Sequence, residues 1–281
     1  MRFAVGATRC DRWAGDDKEG LALRGAPVSS KVFTEEQCRT MSVFYSIIYP
    51  DRVCLLTDGG VYDADGNLVA TCRKVFPSPN LPFAVTCRAS PVDRIPEVID
   101  SMDAWINRRA DPMEKDRVLA CLTPIEEFFQ DLGKREGTFP AEFLFAGFSK
   151  AAGPQHWLLF CHDREGVCPP FKLVHPGNDV QNGIGLTHED LARHGISPSE
   201  VAKPDFFARF GASFMAIARA KRAVMFGMSI PLHFVGGHCD LTTITEHGVT
   251  VERLCTWPDK LGRPIDPSLP MILPDGQEVA A

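Results

Sequence analysis

The chain has 281 residues, 44% of them hydrophobic, with a formal net charge of -6 and an isoelectric point near 5.8. That is enough chain to bury a sizeable core, and the acidic balance gives no diffuse basic field for nucleic acid or an anionic membrane. No run approaches the roughly 20 apolar residues of a membrane span, and MRFAVGATRCDRWAGDD lacks the apolar core of a secretory signal, so the expected location is cytoplasmic, with no nucleic-acid or membrane partner.

Residues 1–40 mix charges with Gly6, Gly15, Gly20, Gly25 and Pro27 and show little sustained period, which predicts an N-terminal extension. From Met41 the pattern changes. VFYSIIY and RVCLLTD, joined at Pro50-Asp51, read as paired strands. VYDADGNLVATCRKVF holds two short strands around the turn signal Asp65-Gly66, and PFAVTC adds another. Apolar residues spaced three and four apart, from Ile95 to Ile106 and from Val118 to Leu132, predict two helices. AEFLFAGFS and HWLLFCHD form a hairpin across KAAGP; a short helix is expected at 188–194 and a longer one at 204–226, with Arg209, Arg219, Lys221 and Arg222 on its solvated face. LHFVGGHCDLTTITEHGVTVERLCTW gives a last strand pair turning at Glu246-His247-Gly248, with Gly236-Gly237 as a tight strand entry, and 258–281 a Pro-rich tail.

The strand runs are continuously apolar, as in strands covered on both faces. Strands, two helices, strands, helix, strands is the order of an α+β protein. The expectation is a four-layer αββα sandwich of two antiparallel sheets with helices outside, in one domain over 42–257. The ten cysteines never form C-x-x-C and mostly sit in apolar runs, which predicts buried reduced thiols. His233 and His238 are five apart in an apolar strand with no third ligand evident, so no metal and no cofactor is expected.

Three residues carry the chemistry. Ser42 opens the first strand of this domain, Asp58 ends the next strand sixteen residues on, and Lys74 follows after the same interval. With TDGG at the turn, RKVF around the lysine and VGGHCDLTTITEHGVTVERL near the end, the sequence resembles the proteasome beta-subunit-like family of the N-terminal-nucleophile hydrolases over about 42–257. The resemblance implies an amidohydrolase of the threonine-peptidase kind, with Ser42 as nucleophile and its own α-amino group as base, since that amine has an ordinary pKa of about 7.7 to 8.0. It implies that Lys74 stabilises charge on the hydroxyl, that Asp58 keeps Lys74 protonated, and that a backbone N–H at Arg88 meets the oxyanion.

This chemistry requires a free amine on Ser42, and Met41-Ser42 resembles the start at which an initiator methionine is trimmed. Translation is therefore expected to begin at Met41, or residues 1–40 to be lost in another way. The family's Gly at the oxyanion position is Arg88 here, and its supporting Asp and Ser fall on Leu232 and Val235. These departures favour the alternative, a catalytically silent proteasome-like subunit with an assembly or binding role. The partners implied are a peptide or amide substrate, further copies in a homo-oligomer, and an ATPase that is left open.

Overall fold

The computed structural model describes residues 38–39, 43–63, 65–89, 95–109, 115–164, 168–224 and 230–279. The extension is therefore almost wholly outside the described residues. Along the chain come β1 (Cys38–Arg39), β2 (Phe44–Tyr49), β3 (Arg52–Asp58), β4 (Gly60–Asp63), β5 (Asn67–Thr71), β6 (Val75–Pro77) and β7 (Phe83–Ala89). The helices α1 (Ile95–Arg109), α2 (Arg117–Ala120) and α3 (Leu122–Glu136) follow, then β8 (Ala141–Ser149), β9 (Gly153–Phe160), β10 (Leu173–Val174) and β11 (Asp179–Asn182). Next are α4 (His188–Arg193), α5 (Pro198–Val201), α6 (Phe206–Ala220), β12 (His238–Thr245) and β13 (Gly248–Thr256). Three short strands close the chain: β14 (Arg263–Pro264), β15 (Met271–Ile272) and β16 (Glu278–Val279).

Two large antiparallel sheets dominate. One runs β11-β2-β3-β12-β13-β15-β16 and the other β10-β9-β8-β7-β6, while β1, β4, β5 and β14 form a smaller third sheet. The β2–β3 hairpin turns tightly enough to pair Tyr49 with Arg52. The Asp65-Gly66 turn is closed by Gly66, whose φ of +82° suits glycine.

Three apolar clusters explain why the strand runs do not alternate. Phe44, Val53 and Leu55 of the seven-stranded sheet meet Ala84, Leu144 and Ala146 of the five-stranded sheet. On its other side the five-stranded sheet presents Phe143, Phe145 and Leu159 to Ile99 of α1 and Ile125 and Phe129 of α3. The seven-stranded sheet likewise presents Tyr45, Leu56 and Leu241 to Phe207, Phe214 and Met215 of α6. Each central strand thus buries both faces and must be apolar at odd and even positions alike.

A polar tie joins the sheets within that core. His156 of β9 accepts or donates at Nδ1 to Ser46 Oγ of β2 at 2.9 Å, and its Nε2 lies 2.8 Å from the Gly177 carbonyl. A carbonyl can only accept, so Nε2 carries the proton and Nδ1 accepts from the serine. Burial above all, together with the neighbouring His175, lowers the His156 pKa to about 4 against the hydrogen bond to Gly177, so the ring is neutral.

The helix expected over 204–226 is shorter than its apolar pattern. It ends at Ala220 because Lys221 turns extended (φ -86°, ψ 148°) and the next backbone groups pair elsewhere. Ala223 N donates to the Leu232 carbonyl at 2.9 Å and Leu232 N to the Ala223 carbonyl at 3.0 Å. Tertiary pairing has outcompeted helix continuation. Cys54, Cys87, Cys121, Cys161, Cys168, Cys239 and Cys255 are buried thiols outside any disulfide, and Cys72 is exposed. Burial pushes the Cys87 thiol up to about 12 and Cys54 up to about 11, so these are packing groups, not nucleophiles.

Candidate active site

The site grows from the end of β3. Pairing of β2 with β3 sets Phe44 opposite Thr57, and the pair beyond it brings Val43 to Asp58. Asp58 is fully buried and would be costly there without donors. It has three. Oδ1 accepts from Val43 N at 3.1 Å and from Lys74 Nζ at 2.8 Å, and Oδ2 accepts from Gly60 N at 3.1 Å. Lys74 is also buried, with 4% of its side chain exposed, and its carbonyl accepts from Thr86 Oγ1 at 2.8 Å, which fixes the loop entering β6 against β7. A buried ion pair with this many hydrogen bonds offsets its desolvation.

The glycines of TDGG have a steric reason. A Cβ on Gly59 would lie 2.2 Å from the His238 ring, and one on Gly60 would lie 2.2 Å from the Tyr62 hydroxyl. Gly59 N donates to the Gly236 carbonyl at 3.1 Å, which locks this turn to the late Gly236-Gly237 pair. Gly237 has φ +74° and its N–H goes to Asp259 Oδ2 at 2.8 Å. Next to it, His238 Nε2 lies 3.3 Å from Asp240 Oδ2, and Arg253 Nε donates to Asp240 Oδ1 at 2.9 Å. Burial alone would raise the Asp240 carboxyl, yet His238 and Arg253 hold it below its ordinary range.

Of the residues singled out in the sequence, Asp58 and Lys74 are in contact, and Ser42 lies outside the described residues, one peptide bond from Val43. Arg88 stands on β7 opposite Glu142. Its guanidinium donates through Nη1 to Asn182 Oδ1 at 3.1 Å and lies 3.5 Å from Glu142 Oε2. Asn182 Nδ2 in turn donates to Glu142 Oε2 at 2.7 Å. Asn182 pairs with Phe44 across β11 and β2, so this network ties the two sheets together beside the start of β2. His162 and Arg164 complete it, at 3.5 and 3.8 Å from Glu142 Oε1.

Leu232 and Val235 bring no polar group to Gly236-Gly237, and Val235 is fully buried. A carboxylate is supplied there all the same, by Asp259 from the Pro-rich segment. Arg219 holds it, donating from Nη2 to Oδ1 at 2.5 Å and from Nη1 to Oδ2 at 3.0 Å. Arg219 also donates to the carbonyls of Val235 and Asp266, both at 2.7 Å, and lies 5.0 Å from the centre of the Trp257 ring. It is fully buried, not on a solvated face. The signal was there: Arg219 follows Gly211 and Met215 at steps of four, on the apolar stripe of α6. Nothing in the sequence linked it to Asp259, forty residues away.

No family model matches the chain, and no curated protein matches it. Solved structures do. The Anbu (Gly-1) mutant from Hyphomicrobium sp. strain MC1 superposes with a TM-score of 0.53 at 13% identity, over 76% of this chain and 87% of that one. Anbu, an ancestral beta-subunit, from Yersinia bercovieri gives 0.49 at 11%, over 75% and 86%. The first likeness carries the fold. This is a proteasome-like, β-subunit fold of antiparallel sheets with few helices. No helix among the described residues is long and apolar enough to cross a membrane.

Proposed function

We propose that this protein is an N-terminal-nucleophile amidohydrolase of the peptidase kind, built on a four-layer αββα sandwich, whose nucleophile is Ser42 once that residue is the free N-terminus. The observation that carries the reading is the buried Asp58–Lys74 pair closed by the N–H of Val43, the residue covalently next to Ser42. A lysine kept charged beside a carboxylate is what a serine hydroxyl lacking a histidine needs. The α-amino group of Ser42 takes the hydroxyl proton and later returns it to the leaving amine. Lys74 stabilises the developing alkoxide, Asp58 holds Lys74, and the backbone N–H of Arg88 faces the oxyanion. The substrate is a peptide or amide, and the active form is a homo-oligomer in the cytoplasm.

A second reading has its own support. The Arg88 side chain is engaged by Asn182 and Glu142 as a cross-link between sheets, which suits a silent subunit kept for assembly. Three proteins separate the two: the full chain, a chain starting at Ser42, and that shorter chain with Ser42→Ala. Hydrolysis of fluorogenic peptide amides, or acylation at residue 42, by the second protein alone is the expected result. Equal inactivity of all three with the fold intact would leave the silent subunit.

A further inference from the structure

Tyr62 is fully buried on β4, and among the described residues its hydroxyl has no hydrogen-bond partner of proper geometry, although the Asp58 carboxylate lies near enough to act on it. A buried phenol without a partner costs stability, so its presence needs a reason. Its surroundings are specific. The hydroxyl lies against Gly60, where a Cβ would sit 2.2 Å from it, and against Gly236, where a Cβ would sit 3.0 Å from it. Gly60 makes room for this oxygen, whereas at Gly236 a Cβ would meet Ile265 Cδ1 first, at 2.4 Å.

That oxygen stands beside the Asp58 cage. Gly60, which it touches, is the residue whose N–H donates to Asp58 Oδ2, and the Lys74 ammonium lies 6.0 Å from the centre of the Tyr62 ring. Burial, then the Asp58 and Asp259 carboxylates, push the phenol well above its ordinary pKa, so it stays a protonated donor. Among the described residues Asp58 Oδ1 already serves two donors, whereas Oδ2 serves only Gly60 N and keeps a lone pair for another. In the mechanism above, Lys74 must turn part of its charge from Asp58 towards Ser42.

We propose that Tyr62 is a positioning residue for Asp58: its hydroxyl is the reserve donor that closes on Oδ2 and holds the carboxylate in place when Lys74 engages the charge developing at residue 42. No covalent bond to Tyr62 forms, and its proton stays on oxygen. This rests on the hydrolase reading, yet the positioning itself has a readout that needs no turnover.

The test is Tyr62→Phe in the chain that begins at Ser42, against its parent. The two measurements are kcat and KM on a peptide amide, and hydrogen exchange at the Val43 and Gly60 amides, which both donate to Asp58. Deleting an unpartnered buried hydroxyl should leave the melting temperature unchanged or raise it. Loss of the reserve donor should lower kcat about tenfold with KM unchanged, leave exchange at those two amides unchanged while Lys74 holds Asp58, and speed it about tenfold in a Lys74→Met background, where Asp58 has lost the ammonium. Faster exchange at both amides in that background, with neither Lys74-containing protein hydrolysing, would keep the positioning role and discard the hydrolase. Unchanged exchange in the Lys74→Met background with unchanged kcat in the parent overturns the proposal. So does a fall in melting temperature with exchange accelerated evenly through the fold, since that is a packing role.

Discussion

Asp58–Lys74 and Arg219–Asp259 are both buried ion pairs, at 2.8 and 2.5 Å, yet they are built for different work. Arg219 is a planar, permanently charged fork that ties Asp259 and two backbone carbonyls into one rigid knot. Lys74 is a single rotatable ammonium whose carboxylate also takes two backbone N–H groups. The knot fixes Gly236-Gly237 and through it the Gly59 turn; the lysine is left able to redirect its charge. On the proposed reading, structure and chemistry use the same pairing of charges with different cations.

The largest effect should follow from breaking the knot. Arg219→Met strands Asp259 with Gly237 N as its one remaining donor among the described residues and orphans two carbonyls, at a cost of roughly 3 to 5 kcal/mol in chemical denaturation. Adding Asp259→Leu should recover much of it, because an apolar pair of similar volume avoids the desolvation cost. Lys74→Met should cost less stability than Arg219→Met, since Asp58 keeps two of its three donors. Its activity should nevertheless fall by roughly a hundredfold or more in a chain starting at Ser42. A Lys74 variant that is less stable than the Arg219 variant would reverse the comparison.

A neutral tie between the sheets provides a third case. His156 is depressed to about 4 in the fold and titrates near 6.5 when unfolded, so the unfolded state takes up its proton first. Stability is therefore full above about pH 6.5 and lost as pH falls towards 4, by about 3 kcal/mol at the limit. His156→Gln should flatten that slope in urea titrations across the window; a parallel slope would exclude His156 as its source. Smaller still is Asp116, which caps α2 at Leu119 N (3.1 Å) and also takes Ser149 Oγ (2.5 Å) and Ala151 N (2.9 Å). Asp116→Ala should cost about 1 to 2 kcal/mol by thermal melting. Arg135→Ala, which removes only the exposed Arg135–Asp131 pair at 3.1 Å, should change stability by less than about 0.5 kcal/mol.

Strand and helix identities were legible because period and punctuation are local properties. RVCLLTD, the Asp65-Gly66 turn and the α1 and α3 stripes all lie where their spacing puts them. The end of α6 was not legible, since the sequence AVMF continues an apolar pattern, whereas the chain has already turned extended at Lys221 and bridges from Ala223 to Leu232. Arg219 was misplaced on solvent for a similar reason: an arginine in a helix ordinarily faces water unless a buried carboxylate from elsewhere receives it.

Sequence alone determined the alternating order of sheets and helices, the doubly covered strands, and the spacing that brings Asp58 and Lys74 to the same strand ends, because hairpin register carries residues a fixed interval apart to one edge. Only the tertiary structure decided that Arg88 would reach Glu142 and Asn182, that Asp259 would serve the Gly236-Gly237 turn, and that Tyr62 would bury its hydroxyl beside Asp58. Those contacts join residues up to about ninety positions apart, and which distant partner a buried polar group finds is set by how the two sheets stack, not by any neighbour in the chain.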